Sequence, residues 1–527
     1  MRGRLEERPP LGLGGDGAPS HRTPHSPDPS LPSPSRRPGE RGAPTKAALR
    51  WSEKAFRLDI PTPWSQDEAS FLPRQPAMRI VLISPKGPLY RHRGGIFKKS
   101  LRYMPLTLTT LASLVPAELE AEVRLIDEGI EEVNSAAIAA IEADLVGLTV
   151  ITGTAPRSYD LASRFRERGI PVVLGGPHVT LIPEDAQAHA DAIVTGYAEE
   201  SWPELLRDFA AGRLRPRYDQ RPGLSLAGLP FPRRDLLPRK RFITDNVFEA
   251  TRGCIHKCDF CVVPAAWGQK PYQKPVEDVI ADIRQMKAHK LIFVDLNLIS
   301  DRDYAAELFT ALIPLKVQWY GLSTVLLGDD ARLLSLAEKS GCKGILMGLE
   351  SISRQNLRDS KKGFNSPERY KELVATLHRH GIALQGCFVF GLDHDTPEIF
   401  LETARFAVEA KIDLPRFAVV TPFPGTALYH RLEREGRILT RNWELYDGQH
   451  VVFQPSQMSV EQLQQGIETA WKHAYSAPSI WKRLRASPSP LPVRLGTNLG
   501  YRFYAHNLHR FYNCDWILGL GRERNAA

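Results

Sequence analysis

The 527-residue chain has few cysteines and no long apolar run, and each shortage excludes a class of protein. No stretch of about 18 consecutive apolar residues appears, so the sequence predicts no transmembrane helix. Residues 1–15 lack an apolar signal core, which argues against secretion and favours a cytoplasmic location. The six cysteines are spaced too unevenly for a disulfide scaffold, and their partial clustering indicates a reducing compartment and a metal site.

Positive charge is in only mild excess, with 69 Lys and Arg against 60 Asp and Glu. No block of basic residues interleaved with aromatics stands out, so we expect no nucleic-acid partner. The 42% hydrophobic and 24% charged residues are typical of a soluble globular protein, and the length predicts two or three domains.

Residues 1–77 contain 14 of the 42 prolines, together with many Ser, Gly and Arg residues. Such a segment buries too little apolar surface to offset its ordering entropy, so we predict a disordered tail over 1–77. One hypothesis is that Met78, which opens a clean apolar strand, is the true start of the protein.

Two successive alternations of strand and helix follow, and both predict α/β folds. Residues 78–214 contain near-continuous apolar strands separated by helices, which predicts a doubly wound, Rossmann-like domain. A Pro/Arg-rich linker over 215–241 precedes six further strand–helix units over 242–436, which predict a partial (β/α)6 barrel. Residues 437–527 are expected to form a helical or irregular extension. The strands are predicted at 79–83, 122–126, 144–150, 171–174 and 191–195 in the first domain, and at 247–251, 291–295, 317–323, 344–349, 384–390 and 417–421 in the second.

Three cysteines lie within eight residues, in the segment Cys254-Ile-His-Lys-Cys258-Asp-Phe-Cys261, directly after the first barrel strand. Three thiolates can hold an iron–sulfur cubane and leave one iron free for another ligand. A structural zinc site normally requires four ligands, and His256 is a poor fourth because it sits inside the short loop. The spacing favours the cluster over zinc.

This motif, with Phe260 before its last cysteine and a strand–helix barrel behind it, resembles the radical SAM superfamily. The resemblance covers about residues 246–436. It implies that Cys254, Cys258 and Cys261 hold a catalytic [4Fe–4S] cluster, that S-adenosylmethionine (SAM) chelates the free iron, and that its reductive cleavage gives a 5′-deoxyadenosyl radical. It also implies a low-potential electron donor such as flavodoxin or ferredoxin.

Residues at other strand ends match cofactor-contacting segments of that superfamily, although each also has a plain structural interpretation as a strand terminator or helix cap. The resemblance implies cofactor contacts for Phe260, Asp295, Asn297, Glu350, Ser351, Thr421 and Pro422. Cys342 and Cys387 lie in apolar strands and are predicted to be inert core thiols.

A doubly wound domain before such a barrel resembles the cobalamin-binding arrangement of the superfamily. The matching residues, at strand-to-loop transitions, are Asp127, Thr149, Thr152, Gly153, Gly175, Gly176, Pro177 and Gly196. The Asp-x-His-x-x-Gly motif that supplies a lower axial ligand to cobalt in many cobalamin proteins is absent from 78–214, and His178 is interpreted as a loop residue. Many cobalamin-dependent radical SAM enzymes also lack that motif.

These resemblances imply a cobalamin-dependent radical SAM methyltransferase acting on an unactivated carbon of a small-molecule or lipid-like substrate. An oxidative cyclase like the anaerobic magnesium-protoporphyrin monomethyl ester cyclases keeps the same domain order and stays open as an alternative. A cobalamin-binding sensor without catalysis is disfavoured by the cysteine motif, and RNA modification by the absence of an RNA-binding module. Mixed basic and aromatic residues over 480–512 suggest peripheral membrane contact, with helices closing over the barrel mouth as the plainer interpretation.

Overall fold

The computed structural model describes residues 78–87 and 103–508. The predicted disordered tail over 1–77 therefore lies outside the described residues, and the hypothesis that Met78 is the true start stays a prediction.

The first sheet consists of six parallel strands in the order β2-β1-β3-β4-β5-β6. Ile80 and Leu82 of its first strand pack into one hydrophobic cluster, whereas Val81 and Ile83 pack into another on the opposite face. This alternation follows the two-residue period of a strand and confirms the predicted doubly wound layering. The strands are β1 (Arg79–Ser84), β2 (Glu122–Asp127), β3 (Leu145–Thr149), β4 (Val172–Gly175), β5 (Ala192–Thr195) and β6 (Arg217–Asp219). The helices are α1 (Leu106–Ser113), α2 (Ser135–Ala140), α3 (Ala155–Glu167), α4 (Pro177–Leu181), α5 (Pro183–Gln187) and α6 (Ser201–Ala210).

Strand β6 corrects the sequence prediction, because it lies inside the segment 215–241 that was predicted to be a linker. It pairs with β5 and extends the first sheet by one strand. Only Tyr218 of its three residues is buried, so a single apolar residue between polar neighbours gave no periodic signal.

The second sheet is built from six parallel strands in the order β7-β10-β11-β12-β13-β14, which is chain order, as expected for a partial barrel. A separate antiparallel pair, β8 with β9, projects beside it. The strands are β7 (Val247–Phe248), β8 (Thr251–Arg252), β9 (Tyr272–Gln273), β10 (Lys290–Phe293), β11 (Gln318–Ser323), β12 (Cys342–Glu350), β13 (Ala383–Phe390) and β14 (Arg416–Val419). The helices are α7 (Val262–Trp267), α8 (Val276–Met286), α9 (Arg302–Leu312), α10 (Ala331–Lys339), α11 (Arg354–Asp359), α12 (Tyr370–Arg379), α13 (Ile399–Glu409) and α14 (Ala427–Arg434).

The predicted continuous strand over 247–251 is wrong, because the chain leaves the sheet after Phe248 and re-forms a strand at Thr251. The carboxylate of Asp295 accepts the backbone N–H groups of Ala250 and Thr251 at this break. A side chain from a distant strand end thus replaces the ladder hydrogen bonds, which no local pattern reveals.

The two faces of the barrel strands differ in burial. One face is fully buried against the helices, as Trp319 and Met347 illustrate, whereas the alternate residues are only half-buried. A Cβ atom on Gly344 would lie 3.0 Å from the ring of Tyr320, which places both residues on this second face. The half-buried face therefore lines an open lumen.

The C-terminal extension forms α15 (Val460–Ala474), α16 (Ala477–Leu484) and α17 (Leu491–His506). Trp471 donates its indole N–H to the carbonyl of Phe417 at 3.1 Å, and the Tyr475 hydroxyl donates to the carbonyl of Pro415 at 2.8 Å. Helix α15 and its C-cap residue thus cover the β14 edge of the barrel, while Nε2 of Gln385 in β13 donates to the Tyr501 hydroxyl of α17 at 3.1 Å. Closure of the barrel mouth by these helices stays a prediction. Within residues 78–87 and 103–508, no helix has the length and apolar character needed to cross a bilayer.

Candidate active site

The three clustered cysteines occupy one loop between β8 and α7, and all three thiols are free. Neighbouring segments hold this loop: the Asp259 N–H donates to the carbonyl of Ser360 at 3.3 Å, and the Asp259 carbonyl accepts from the Leu428 N–H at 3.0 Å. Cys261 is the N-cap residue of α7. The loop is therefore fixed from two sides of the barrel mouth.

The thiols are close enough to influence one another electrostatically. Burial raises the pKa of the Cys258 thiol to about 11, with the positive charge of Lys362 acting in the opposite direction and Cys261 and Cys254 adding to the rise. Burial likewise raises the pKa of Cys261. Within the described parts of the chain, no three His, Cys, Asp or Glu side chains are grouped as they would be around a single metal ion.

Asp295 and Asn297 follow β10 and contact the cysteine loop in different ways. Asp295 is fully buried and gives its carboxylate to backbone N–H groups at the start of β8, so its contacts support the loop. Burial, with the charge of Glu249, raises the pKa of Asp295 to about 7. Asn297 donates from Nδ2 to the Cys254 Sγ atom at 3.9 Å, and its Oδ1 atom is buried without a partner.

A buried ion pair lies beside the thiols at the end of β12. The Nζ atom of Lys362 is 2.5 Å from Oε1 of Glu350, and both side chains are about nine-tenths buried. Burial lowers the pKa of Lys362, but the charges of Glu350 and Cys258 outweigh it and raise the pKa overall. Glu350 has a φ of 64°, a left-handed conformation that is strained for a residue with a side chain.

Gly348 makes room for this pair. A Cβ atom at this position would lie 2.0 Å from Oε1 of Glu350 and 2.7 Å from Nζ of Lys362. Ser351, also buried, accepts the Ser353 N–H at 3.0 Å and so caps the turn that follows. The segment from Gly348 to Ser351, which contains the predicted Glu350 and Ser351, thus packs a charged pair beside the cysteine loop.

The other predicted cofactor-contacting residues of the barrel, Thr421, Pro422 and Phe260, pack against the protein itself. Thr421 is buried, donates to the Val419 carbonyl at 3.3 Å and accepts the Gly448 N–H at 3.1 Å. Pro422 is buried after it, and Phe260 packs against the barrel core. These contacts show structural roles for the three side chains, and their cofactor contacts stay predictions.

The predicted residues of the first domain gather at the carboxyl edge of the first sheet. Asp127 ends β2 and accepts the Gly129 N–H at 2.7 Å, which closes a turn. The others lie at or just after the ends of β3, β4 and β5, as expected for a ligand edge in a doubly wound sheet: Thr149, Thr152, Gly153, Gly175, Gly176, Pro177 and Gly196.

Two of these glycines are required by the protein's own packing. Gly176 has a φ of 116°, and a Cβ atom there would lie 2.7 Å from the Val150 carbonyl oxygen. Gly196 has a φ of 74°, and its Cβ would lie 2.6 Å from Gln220. Packing within the protein is therefore sufficient to require glycine at these two positions.

His178 is not the loop residue that the sequence suggested. It lies in the first turn of α4, is fully buried, and its Nε2 atom is 3.1 Å from the Tyr159 hydroxyl and 3.2 Å from Oδ2 of Asp185. Burial lowers its pKa, which favours the neutral ring. Pro177 explains the difference, because proline at a first helical position starts a helix readily.

The carboxyl edges of the two sheets meet across a common junction. Arg252, two residues before Cys254, forms a buried ion pair with Glu199 from the loop after β5. Three large apolar side chains remain exposed around the two edges, namely Ile151 at 55%, Ile255 at 46% and Leu296 at 44%. Exposed apolar groups at facing edges are suited to a bulky cofactor or substrate.

Sequence reasoning missed Lys362, and it gave Glu199 no role beyond its place in the segment after Gly196 that resembles a cobalamin-binding one. Lys362 stands twelve residues after Glu350 in an unremarkable polar stretch, and only the fold brings it to the thiols. Glu199 lies three residues beyond Gly196, so the position of that strand end was the one available signal. Cys387, predicted to be a core thiol, is half-buried on the lumen face, whereas Cys342 is fully buried as predicted.

Comparisons with protein-family profiles match three segments of the chain. The radical SAM superfamily profile matches residues 248–407, and the B12 binding domain profile matches residues 100–206. A domain of unknown function (DUF4070) matches residues 426–525. The first two matches fall on the two sheets described above.

Curated relatives share most of this length. Bacteriochlorophyllide d C-8(2)-methyltransferase of Chlorobaculum tepidum is 31% identical over 420 residues, which cover 75% of this chain and 91% of the relative. Bacteriochlorophyllide d C-12(1)-methyltransferase of the same organism is 28% identical, covering 73% and 85%. The anaerobic magnesium-protoporphyrin IX monomethyl ester cyclase of Cereibacter sphaeroides is 23% identical, covering 77% and 71%.

Among solved structures, the cobalamin-dependent SAM radical enzyme OxsB, with aqua-cobalamin and S-adenosylmethionine bound, matches with a TM-score of 0.58. The match has 14% sequence identity and covers 82% of this chain and 72% of OxsB, so it shows a shared fold. The chain therefore belongs to the radical SAM superfamily, and within it to the cobalamin-dependent radical SAM methyltransferases, whose cofactors are a [4Fe–4S] cluster, S-adenosylmethionine and cobalamin.

Proposed function

We propose that this enzyme methylates an unactivated carbon of an apolar small-molecule or lipid-like substrate bound in the lumen of the second sheet. The observation that carries the proposal is the apolar character of the lumen wall close to the cysteine loop. By strand alternation, the half-buried lumen-facing residues include Ile292, Leu322, Leu346, Val389 and Ala418. Such a wall favours a substrate that gains by leaving water.

The donor set at the barrel mouth fits an iron–sulfur cluster and SAM. Three free thiols from one loop supply three ligands, and no cysteine elsewhere in the described chain joins them. Glu350 and Lys362 present opposite charges beside the thiols, which complement the amino and carboxylate groups of SAM. The unpartnered Oδ1 atom of Asn297 offers one further acceptor.

When bound, these cofactors and cobalamin supply the substrate radical and the methyl group. The chain itself binds, orients and shields them. Lys362 keeps the Glu350 carboxylate paired in a buried site, and Asp295 fixes the start of the cysteine loop through backbone N–H groups. The lumen wall excludes water from the reacting carbon.

The first sheet is proposed to hold cobalamin against the mouth of the barrel. Its carboxyl edge carries the exposed Ile151 side chain, suited to contact with a corrin face, and the polar groups of Thr149 and Thr152. Glu199 adds a buried oxygen without a partner at the same edge. Cofactor contacts of Asp127, Gly153, Gly175, Gly176, Pro177 and Gly196 are proposed from their shared position along this edge.

We further propose domain boundaries at 78–214 for cobalamin binding and 242–436 for the barrel, with β6 as an appended strand of the first sheet. A low-potential donor such as flavodoxin or ferredoxin is proposed to supply the electron, because reductive SAM cleavage needs one. The extension over 437–527 completes the barrel edge through α15 and α17.

Helices α16 and α17 are proposed to contact an anionic bilayer surface, which would suit an apolar substrate. Five large apolar side chains on these helices are more than 40% exposed, namely Trp481, Leu491, Leu495, Leu499 and Phe503. Lys482 and Arg485 add positive charge.

Vesicle flotation tests this contact. The Leu495→Glu/Leu499→Glu double variant should no longer float with phosphatidylglycerol vesicles. Thr497→Glu, about 200° around α17 from Leu495, is the control, and equal flotation of all three proteins would refute membrane contact.

Product analysis tests the proposed function. The anaerobically reconstituted protein, given cobalamin, SAM, a reductant and an accepted substrate, should form 5′-deoxyadenosine and S-adenosylhomocysteine together with a methylated product. Formation of 5′-deoxyadenosine without S-adenosylhomocysteine would exclude methyl transfer and favour the cyclase-like alternative. Formation of neither would exclude catalysis and leave the sensor interpretation.

A further inference from the structure

Glu199 is a buried glutamate with a hydrogen-bond partner for only one of its two carboxylate oxygens. It follows β5 at the carboxyl edge of the first sheet, and its side chain is 4% exposed. One oxygen, Oε1, accepts from Nη1 of Arg252, whereas Oε2 is buried and has no hydrogen-bond partner. A buried carboxylate oxygen without a donor is costly, so a ligand is expected to satisfy it.

Arg252 carries this contact into the cysteine loop. Its Nε atom donates to Oε2 of Glu249 at 2.8 Å, and its guanidinium lies 5.1 Å from the ring centroid of Tyr197. Tyr197 in turn stacks on Trp267 with ring centroids 5.3 Å apart. Arg252 lies two residues before Cys254, and Trp267 ends the helix that begins after Cys261, so the junction touches both ends of the loop.

The four charges paired at the junction balance. Glu199 and Glu249 are matched by Arg252 and by Lys274, whose Nζ atom is 3.6 Å from Oε2 of Glu249. A further cation is therefore not required at Oε2 of Glu199. A neutral N–H donor suits the site better, and the carboxamide groups around a corrin ring are donors of this kind.

We propose that Oε2 of Glu199 accepts a hydrogen bond from a peripheral carboxamide of cobalamin, and that Glu199 and Arg252 together transmit cobalamin binding to the cysteine loop. Glu199 is thus a cofactor-binding residue, and Arg252 is a positioning residue that acts through the loop. The proposal rests on the proposed function in one respect, namely that cobalamin lies between the two sheet edges.

Corrinoid affinity tests the binding half of the proposal. Hydroxocobalamin is titrated against the full-length, cluster-containing protein and its Glu199→Gln, Glu199→Asp and Glu200→Gln variants, with binding followed by visible absorption. Glu200 is the matched control because it is the next residue and is exposed. We expect both Glu199 variants to bind about tenfold more weakly than wild type, and Glu200→Gln to bind like wild type.

Iron release tests the coupling half. The rate at which a ferrous chelator removes iron from the cluster is measured with and without saturating hydroxocobalamin. In wild type, cobalamin should slow the release about fivefold or more, a ratio typical of coupled sites. Arg252→Lys keeps the positive charge but loses the planar guanidinium. In this variant and in Glu199→Gln, the ratio of the iron-release rates without and with hydroxocobalamin should fall towards one.

The outcomes separate the two proposals. Wild-type protein that binds hydroxocobalamin, with Glu199 variants that bind equally well, would overturn the inference and leave the proposed function standing. An unchanged iron-release ratio in the variants would overturn the coupling. Wild-type protein that fails to bind hydroxocobalamin at all would overturn both. Because Glu199→Asp keeps the buried charge, it remains informative if Glu199→Gln does not fold.

Discussion

The ammonium of Lys362 is 2.5 Å from the carboxylate of Glu350, and Gly348 beneath them leaves only enough space for the pair. The charge of Lys362 also acts on Cys258 and Cys261. One lysine therefore links the end of β12 to the cysteine loop, and under the proposed function this pair would meet the amino-acid part of SAM.

Replacing Lys362 should separate stability from SAM binding. Lys362→Met leaves the Glu350 carboxylate buried and unpaired, at a cost of about 3–5 kcal/mol. The Lys362→Met/Glu350→Gln double variant removes both charges and should recover most of the lost thermal stability without recovering SAM affinity. Differential scanning fluorimetry and equilibrium dialysis with labelled SAM measure the two effects. Wild-type SAM affinity in the double variant would show that the pair serves folding only.

Gly348→Ala should weaken SAM binding by about tenfold and lower stability by about 1–3 kcal/mol, because the added methyl group collides with Glu350 and Lys362. Gly363→Ala is the matched control, since its Cβ would meet only the Arg358 Cγ atom, at 3.9 Å. The same dialysis measurement applies. If both alanine variants bind SAM like wild type, the absence of a side chain at position 348 is not required for SAM binding.

Replacing a cysteine of the loop and replacing a cysteine of the core should have different effects on the iron content. Cys258→Ala is expected to purify without a stable cluster and without SAM cleavage, since two thiolates cannot retain the cube. Cys342→Ala, in the fully buried core, should keep its iron and lose only about 1 kcal/mol of stability through the small cavity. Iron and sulfide analysis after anaerobic reconstitution distinguishes them. Equal iron content in the two variants would remove Cys258 from the ligand set.

Asp395 predicts a pH dependence of stability. It accepts the N–H groups of Gly391 and Leu392 and the side-chain amide of Asn356, but burial dominates and raises its pKa to about 7. The folded protein then holds a proton that the unfolded chain releases near pH 4. Stability is therefore greatest below about pH 4 and declines as the pH rises towards 7, by up to about 4 kcal/mol from this group.

The thermal midpoint between pH 4 and 8 measures this slope. Asp395→Asn should remove the contribution of this carboxyl and flatten the curve, whereas Asp303→Asn, at a side chain that is 93% exposed, should leave the slope unchanged. An identical slope in wild type and Asp395→Asn would mean that Asp395 is ionised throughout the range.

Much of the fold was predictable because apolar strands and amphipathic helices alternate with clear periods. The six barrel strands appear near their predicted positions. The 3.6-residue spacing of Val276, Val279, Ile280, Ile283 and Met286 predicts one apolar face of α8, and the first four are buried while Met286 is partly buried against the same core. Strand β6 and the break after Phe248 were not predictable, because one is set by pairing with β5 and the other by Asp295 from a distant strand end.

The site was predictable where ligands are adjacent in sequence and unpredictable where the fold assembles them. The cysteine spacing alone pointed to the cluster, and Glu350 lies beside the cysteine loop at the expected strand end. Lys362, Arg252 and Glu199 contribute charges whose meaning depends on long-range contacts. Asp295 and Thr421 stand at the expected strand ends, yet their side chains accept hydrogen bonds from backbone N–H groups of the protein.

Mössbauer spectroscopy of protein reconstituted anaerobically with 57Fe tests the central claim most directly, with spectra recorded before and after addition of SAM. Three cysteine ligands leave one iron of four without a protein ligand, so SAM should shift the signal of one quarter of the cluster iron. Four irons that do not respond to SAM, or a protein that incorporates no cluster, would contradict the account.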